Sequence, residues 1–289
     1  MTKYSFSGHD SFYCKQLWLK KGYDFIKKGK KFQDPESVIE LGVGKNMVSS
    51  IRHWMKVFGL IDESDIATDF AKYIFEDNGK DPYLEDLGTL WLLHYFLIKT
   101  NRATLYNLFF TEFRFLRYEF TKEQLLEYIV KKFEKDSVNK NTVETDILVL
   151  FRNYFASKNR NEIEETNSSL FQELNLLSSF KEFDNQNNKT LEYYKIENLD
   201  KINIPKHIML FCILDQFKDR NSISINELFN SVNSIGSIFP VSREFINNTI
   251  SEFKENYPSI NYSTMAGNKL LIFKKPIDKW KVLNDYYKI

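Results

Sequence analysis

Cysteine, glycine and proline are all scarce in this sequence of 289 residues. The two cysteines, Cys14 and Cys212, lie far apart and have no ligand neighbours at zinc-site spacing, which excludes a disulfide framework and a zinc motif. Only 10 glycines and 6 prolines are present, so chain breakers are few and long helices are favoured. From these absences we expect free thiols, no metal site and no cofactor.

Long hydrophobic runs are also lacking. The longest, residues 90–98, contains His94 and is too short to cross a bilayer. The first residues, Met-Thr-Lys-Tyr-Ser-Phe, lack the apolar core of a signal peptide. The sequence therefore predicts a cytoplasmic protein with no membrane partner.

Net charge is small, at +1, so overall composition makes no case for nucleic acid. The distribution of charge is uneven, however. Residues 1–60 hold eleven lysines and arginines against five acids, a net of +6, which leaves −5 for the remainder. A basic segment is the electrostatic footprint of nucleic-acid binding. Within it, Lys30 and Lys31 are either solvated charges or phosphate contacts beside a DNA-reading helix.

Residues 34–60 predict two helices joined by a glycine-bounded turn. Asp34 suits the N-cap of the first helix and Pro35 its first position, where the missing N–H is no loss. Gly42 suits the left-handed residue that ends this helix. The second helix is expected over about residues 45–58.

The second helix combines an apolar stripe with a polar face that lacks acids. Val48, Ile51, Met55 and Phe58 recur at the spacing of a core-facing stripe. No carboxylate occurs in residues 41–61, which favours contact with phosphates and base edges. We therefore expect a helix-turn-helix that binds double-stranded DNA, with Asn46 or Arg52 as base readers; plain helix packing is the alternative. The expected DNA contacts on this helix are Lys45, Asn46, Ser49, Arg52, His53 and Lys56.

The N-terminal residues 6–12 place His9 beside Asp10. A carboxylate can orient an imidazole for base chemistry, but no nucleophile motif accompanies this pair and the next histidine is His53. Ser7 or Asp10 is instead expected to cap the following helix. The residues retained as a candidate site are Gly8, His9 and Asp10.

The rest of the chain predicts further helical units. Residues 87–118 are aromatic and predict a buried helical connector, in which His94 is a hydrogen-bonded core histidine. Residues 205–273 predict three helices and a hairpin, the order of a winged helix. The expected fold is mainly α with short β hairpins, as tandem winged-helix or helix-turn-helix-like units joined by a helical connector. The expected domains are residues 1–120, 121–200 and 201–289.

Three stretches together carry a resemblance to a known family. They are residues 6–12, residues 41–60, and residues 81–94, which read Asp-Pro-Tyr-Leu-Glu-Asp and then Gly-Thr-Leu-Trp-Leu-Leu-His. Their order and spacing resemble the bacterial family catalogued as domain of unknown function 4007. Members occur beside genes for DNA modification and anti-phage defence, notably sulfur modification of the DNA backbone (phosphorothioation). The resemblance implies a DNA-binding or accessory role and brings no catalytic residues.

Two functions from different classes are consistent with these features. The first is a non-enzymatic DNA-binding protein, an accessory, sensor or regulator in a modification or antiviral defence system. The alternative is a scaffold that binds other subunits of such a system, which the acidic remainder favours. An enzyme is disfavoured because no phosphate-binding glycine loop and no paired carboxylates with a lysine occur. Helix-turn-helix proteins often form homodimers, and that state stays open because no dimer seam is evident.

Overall fold

The computed structural model describes residues 4–134, 138–155, 169–184, 188–196, 204–265 and 268–288. The chain forms two compact units, Met1–Glu197 and Asn198–Ile289. Helices predominate beside two small antiparallel sheets, which confirms the expected class, mainly α with short β hairpins. The further division of the first unit at residue 120 stays a prediction. Among the described residues, no helix has the length and apolar character needed to span a bilayer.

The first unit begins with a helical layer and ends with a small sheet. Its helices are α1 (Gln16–Lys27), α2 (Ser37–Leu41), α3 (Lys45–Val57), α4 (Asp69–Phe75), α5 (Leu87–Lys99), α6 (Thr104–Leu108), α7 (Arg114–Leu116), α8 (Lys122–Lys132) and α9 (Lys140–Tyr154). A π-helical turn, Phe109–Phe113, joins α6 to α7, and a 3₁₀ turn, Gln172–Leu174, precedes the last two strands. Its strands are β1 (Glu119–Phe120), β2 (Leu177–Asp184) and β3 (Lys189–Ile196).

The second unit contains five helices and three strands within the part of it that the structure describes. The helices are α10 (Lys206–Gln216), α11 (Ile225–Asn230), α12 (Ile235–Ile238), α13 (Arg243–Asn256) and α14 (Lys279–Tyr286). The strands are β4 (Ser222–Ser224), β5 (Ile260–Met265) and β6 (Asn268–Phe273).

The two sheets have the same strand order. In each, the third strand lies in the centre and pairs antiparallel with the other two, giving β1-β3-β2 and β4-β6-β5. In each, the short first strand leads directly into a helix that starts with a capping box, Thr121 with Gln124 and Ser224 with Glu227. These reciprocal bonds satisfy two orphan N–H groups and fix where each helix starts.

An aromatic core surrounds α5, which is apolar on all sides and almost wholly buried. His94 is fully buried there, and its Nδ1 lies 2.8 Å from the Tyr154 hydroxyl, which confirms the expected hydrogen-bonded core histidine. The expected burial of the connector fails at Phe115, which is 54% exposed. The π-helical turn supplies the reason, because its extra residue rotates the helical face that follows it.

Candidate nucleic-acid interface

Helices α2 and α3 form the expected pair around a tight turn. Gly42 adopts a left-handed conformation with φ of 63°, as its sequence position predicts. The start of α2 differs from expectation, since neither Asp34 nor Pro35 belongs to the helix, whose N-cap is Glu36. The Asp34 carboxylate instead accepts a hydrogen bond from the Lys31 N–H at 3.2 Å, which closes a turn ahead of the helix.

The core-facing side of α3 is the one predicted from its apolar spacing. Val48, Ile51, Met55 and Phe58 are all less than 4% exposed. The helix ends at Val57, and Phe58 is its C-cap. Close packing against α1 needs Gly22, where an added Cβ would lie 2.3 Å from the sulfur of Met55.

The expected DNA contacts divide into exposed and half-buried groups. The exposed ones on α3 are Lys45, Asn46 and Ser49. The half-buried ones are Arg52, His53 and Lys56. Off the helix, Lys31 is exposed, and Lys30 pairs with Glu40 at 3.2 Å.

A concave site, named the α3 cleft here, brings most of these residues together. Its volume is about 720 Å³, and Gly8 and side chains from within residues 32–38 form part of its wall. The α3 side chains that line it are Lys45, Val48, Ser49, Arg52, His53 and Lys56. Asn46, Lys30 and Lys31 do not line the cleft.

Two of the cleft cations are bound by a carboxylate on the loop after α3. Arg52 donates through Nε to both oxygens of Asp65, at 2.9 and 2.8 Å, and the Lys56 ammonium lies 3.3 Å from the same carboxylate. Burial alone would raise the pKa of Asp65, but hydrogen bonds from Arg52, Gln33 and Lys56 outweigh it and hold that pKa below its ordinary value. Sequence reasoning missed this partner because Asp65 lies just beyond the acid-free stretch.

Behind the cleft lies a buried cluster around His9. His9 is 3% exposed, its Nε2 lies 3.2 Å from Asp146 Oδ1, and its ring stacks on Trp54 at a centroid distance of 5.7 Å. The Ser7 N–H donates to both Asp146 oxygens at 3.1 Å. His9 Nδ1 is buried and has no hydrogen-bond partner among the described residues.

The prediction that Ser7 or Asp10 caps the following helix is wrong. Helix α1 starts at Gln16, and its N-cap, Lys15, makes no side-chain capping bond. Ser7 and Asp10 instead have positive φ values of 65° and 45°, in a turn that precedes the helix. The carboxylate that contacts His9 is therefore that of Asp146, which is distant in sequence, and Asp10 is exposed.

His53 and Gly8 connect the cleft with the buried cluster. The rings of His53 and His9 lie 6.0 Å apart, and a Cβ on Gly8 would lie 2.3 Å from His53 Nδ1. Burial, with a smaller contribution from His9, lowers the pKa of His53 to about 3, so its ring is neutral at physiological pH. Both residues also line a cavity of about 10 Å³ beside His9, Tyr106 and Asp146, roughly the space of one water molecule.

Comparisons with known proteins extend beyond the residues that carried the resemblance. Two solved structures, a magnesium ion-bound SspB crystal structure and an SspB crystal structure, are 25% identical to this chain, with TM-scores of 0.82 and 0.81. Each alignment covers 98% of this chain and 88% of the other. No curated protein matches. The family model described as Protein of unknown function (DUF4007) matches residues 6–287, and the chain therefore belongs to that family.

Proposed function

We propose that this protein binds double-stranded DNA without acting as an enzyme, as an accessory, sensor or regulatory component of a bacterial DNA modification or defence system of the phosphorothioation type. The observation that carries the proposal is the polar side of α3. Lys45, Asn46 and Ser49 are exposed there, and no carboxylate occurs on the helix. Exposed donors on an acid-free helix after a tight turn are suited to phosphates and base edges.

The repeated strand order supports winged-helix-like units elsewhere in the chain. A short strand, helices, and a hairpin whose second strand lies in the centre occur in residues 119–196 and again in residues 222–273. The same sequence of elements is expected of a winged helix. We propose that both segments are winged-helix-like units. Helix α13 carries Glu244, Glu252 and Glu255, so DNA contact is assigned to α3 and not to this helix.

Magnesium is a condition to vary in the binding assay and not a part of the proposed site. One solved neighbour is magnesium-bound. Among the described residues of this chain, no three histidine, cysteine, aspartate or glutamate side chains converge as metal ligands. We therefore assign no metal site, and binding is to be measured with and without Mg²⁺.

The test is a salt titration of binding to two duplexes of one sequence, one plain and one with phosphorothioate linkages. Affinity is expected to fall steeply with salt, because cations that contact phosphates release counterions. Arg52→Ala with Lys56→Ala is expected to weaken binding and lower the salt slope by about 1–2. Lys72→Ala is the matched control, because Lys72 is exposed on α4 and does not line the cleft. Unchanged affinity in the double variant would remove the cleft cations from the interface.

A protein-binding scaffold is the second candidate, and one surface favours it. Phe115, Leu116 and Tyr118, which lie within four residues just after the π-helical turn, are 54%, 66% and 49% exposed. Exposed apolar groups that lie together often mark protein contacts. The partner would be another subunit of the modification system. A stable complex that Leu116→Asp breaks, together with no DNA binding at low salt, would select this function.

A further inference from the structure

A concave site lies beside the exposed side chains of α3, and a DNA groove alone does not account for it. A helix in the major groove inserts a convex surface and reads bases with side chains that project outward. Here Arg52, His53 and Lys56 are half-buried in a concave cleft of about 720 Å³. That volume falls within the roughly 300–1,000 Å³ of small-molecule sites. A small ligand can enter the cleft and contact these half-buried side chains, whereas the wide surface of a DNA groove contacts mainly side chains that project outward.

We propose that the α3 cleft binds a single nucleoside phosphate, either free in solution or extruded from a DNA strand. Its chemistry is divided between a cationic part and an apolar part, which match the two ends of a nucleotide. The free-nucleotide form stands without the proposed DNA binding, whereas the extruded form rests on it.

The cationic part is equipped for one phosphate group. Lys45 has no ion-pair partner among the described residues, so its charge is available to a ligand. Arg52 donates to Asp65 through Nε, and within the part of the chain that the structure describes the terminal amino groups of its guanidinium are left as donors. Asp65 therefore holds the guanidinium in place and leaves its terminal N–H groups, which can bind a phosphate in a bidentate manner. The Ser49 hydroxyl is exposed at the same wall.

The apolar part is equipped for a base. Pro35 is exposed at the cleft and offers a flat apolar surface to an aromatic ring, while Phe32 and Val48 line the same wall and are largely buried. His53 adds a ring that stays uncharged at neutral pH. Gln33 also lines the cleft; its amide nitrogen donates to Asp65 at 3.3 Å, and its amide oxygen can accept a hydrogen bond from a base edge.

The first experiment measures binding of 2′-deoxyadenosine 5′-monophosphate to the full chain by calorimetry, with deoxyadenosine and inorganic phosphate as partial ligands. Ser49→Trp places an indole in the cleft, and Asn46→Trp places one on the same exposed face of α3 outside the lining. The mononucleotide is expected to bind more tightly than either partial ligand. Ser49→Trp is expected to weaken it at least tenfold, and Asn46→Trp to leave it unchanged. If Ser49→Trp fails to fold, Lys45→Gln gives the same test by removing an unpaired cation.

The second experiment separates the two sources. A duplex with one 2-aminopurine is mixed with the wild-type chain, because 2-aminopurine fluorescence rises when the base leaves the stack. A rise that Ser49→Trp abolishes, measured at duplex concentrations that saturate both the wild-type chain and the variant, assigns the cleft to an extruded nucleotide. Mononucleotide binding without that rise assigns it to a free nucleotide, and mononucleotide binding without any duplex affinity refutes the proposed function alone. No rise and no mononucleotide binding overturns the nucleotide site, whatever the duplex affinity.

Discussion

The carboxylate of Asp146 is expected to be the strongest single anchor of the N-terminal segment, and Asp146→Ala tests this. Asp146 lies on α9, is 4% exposed, and holds both the Ser7 N–H and the His9 ring. The same segment is held elsewhere by backbone groups: Ser5 N–H donates to Thr104 Oγ1 at 2.8 Å, and Cys14 N–H to Asn153 Oδ1 at 3.0 Å. Those bonds stay in the variant, so the loss is confined to the turn around His9.

The magnitude follows from the groups that lose their partner. A hydrogen bond to a charged acceptor contributes about 1.5–3 kcal/mol, which the Ser7 N–H forfeits. His9 Nε2 then loses the Asp146 carboxylate, while His9 Nδ1 already has no hydrogen-bond partner among the described residues. A buried polar group without a hydrogen-bond partner costs about 1–3 kcal/mol. The free energy of unfolding should fall by about 2.5–6 kcal/mol, a large part of the roughly 5–15 kcal/mol typical of a domain.

The assay is urea unfolding followed by far-UV circular dichroism, with Asp146→Asn as the matched control. Asparagine keeps an oxygen that can accept the Ser7 hydrogen bond, so it should lose less than half as much stability as alanine. Two compact units can unfold separately, so the transition of the first unit is the one compared. An alanine variant within about 0.5 kcal/mol of wild type, the range of a neutral surface change, would refute the anchoring role.

Three further changes test other contacts. Gly42→Ala should lower stability by about 1–2 kcal/mol, because φ at Gly42 is 63°. Gly44→Ala is the control and should be neutral, since φ at Gly44 is −65° and no atom of the described residues lies within 4 Å of the added Cβ at either site. Equal effects of the two changes in thermal melts would contradict this. Tyr154→Phe should cost about 1–3 kcal/mol, because the hydroxyl 2.8 Å from His94 Nδ1 is lost from a buried site, and an unchanged urea midpoint would count against it. Because folding lowers the pKa of His53 to about 3, the unfolded chain takes up the proton first, and stability should fall as pH drops below about 6.5, by at most about 2 kcal/mol between pH 7 and pH 5. His53→Gln should flatten that slope, and an identical pH profile would argue against a buried neutral ring.

Local sequence signals predicted the elements that depend on neighbouring residues. The apolar spacing of Val48, Ile51 and Met55 placed the buried side of α3, because helix periodicity alone decides which residues share a face. Gly42 marked the end of α2 because few other residues adopt its conformation readily. The start of α2 was misplaced, since Asp34 bonds backward to Lys31 and so closes a turn.

Local sequence signals could not predict contacts between residues that lie far apart in the chain. The partner of His9 is Asp146, on a helix far along the chain, and no local spacing connects the two. The available local candidate, Asp10, is exposed. Gly8 is the sequence hint of close packing in this turn, because a side chain at that position would collide with His53. Phe115 was misassigned because a π-helical turn changes the helical period without a mark in composition.

A count of charged residues along the sequence likewise omits long-range ion pairs. These ion pairs change what DNA binding would require. The net of +6 over residues 1–60 overstates the available charge, because acids further along the chain neutralise part of it. Lys27 pairs with Glu76 and Asp77, and Arg52 and Lys56 share Asp65.

A phosphate that reaches Arg52 and Lys56 must either displace Asp65 or bind beside it. Displacement exchanges one anion for another, so few counterions are released and the salt slope stays shallow. Binding beside Asp65 uses the free donors of Arg52 and the charge of Lys45, and the slope then approaches that of unpaired cations. Asp65→Asn separates the two routes. It should raise affinity if Asp65 competes with phosphate, and lower affinity if Asp65 holds Arg52 in position for phosphate.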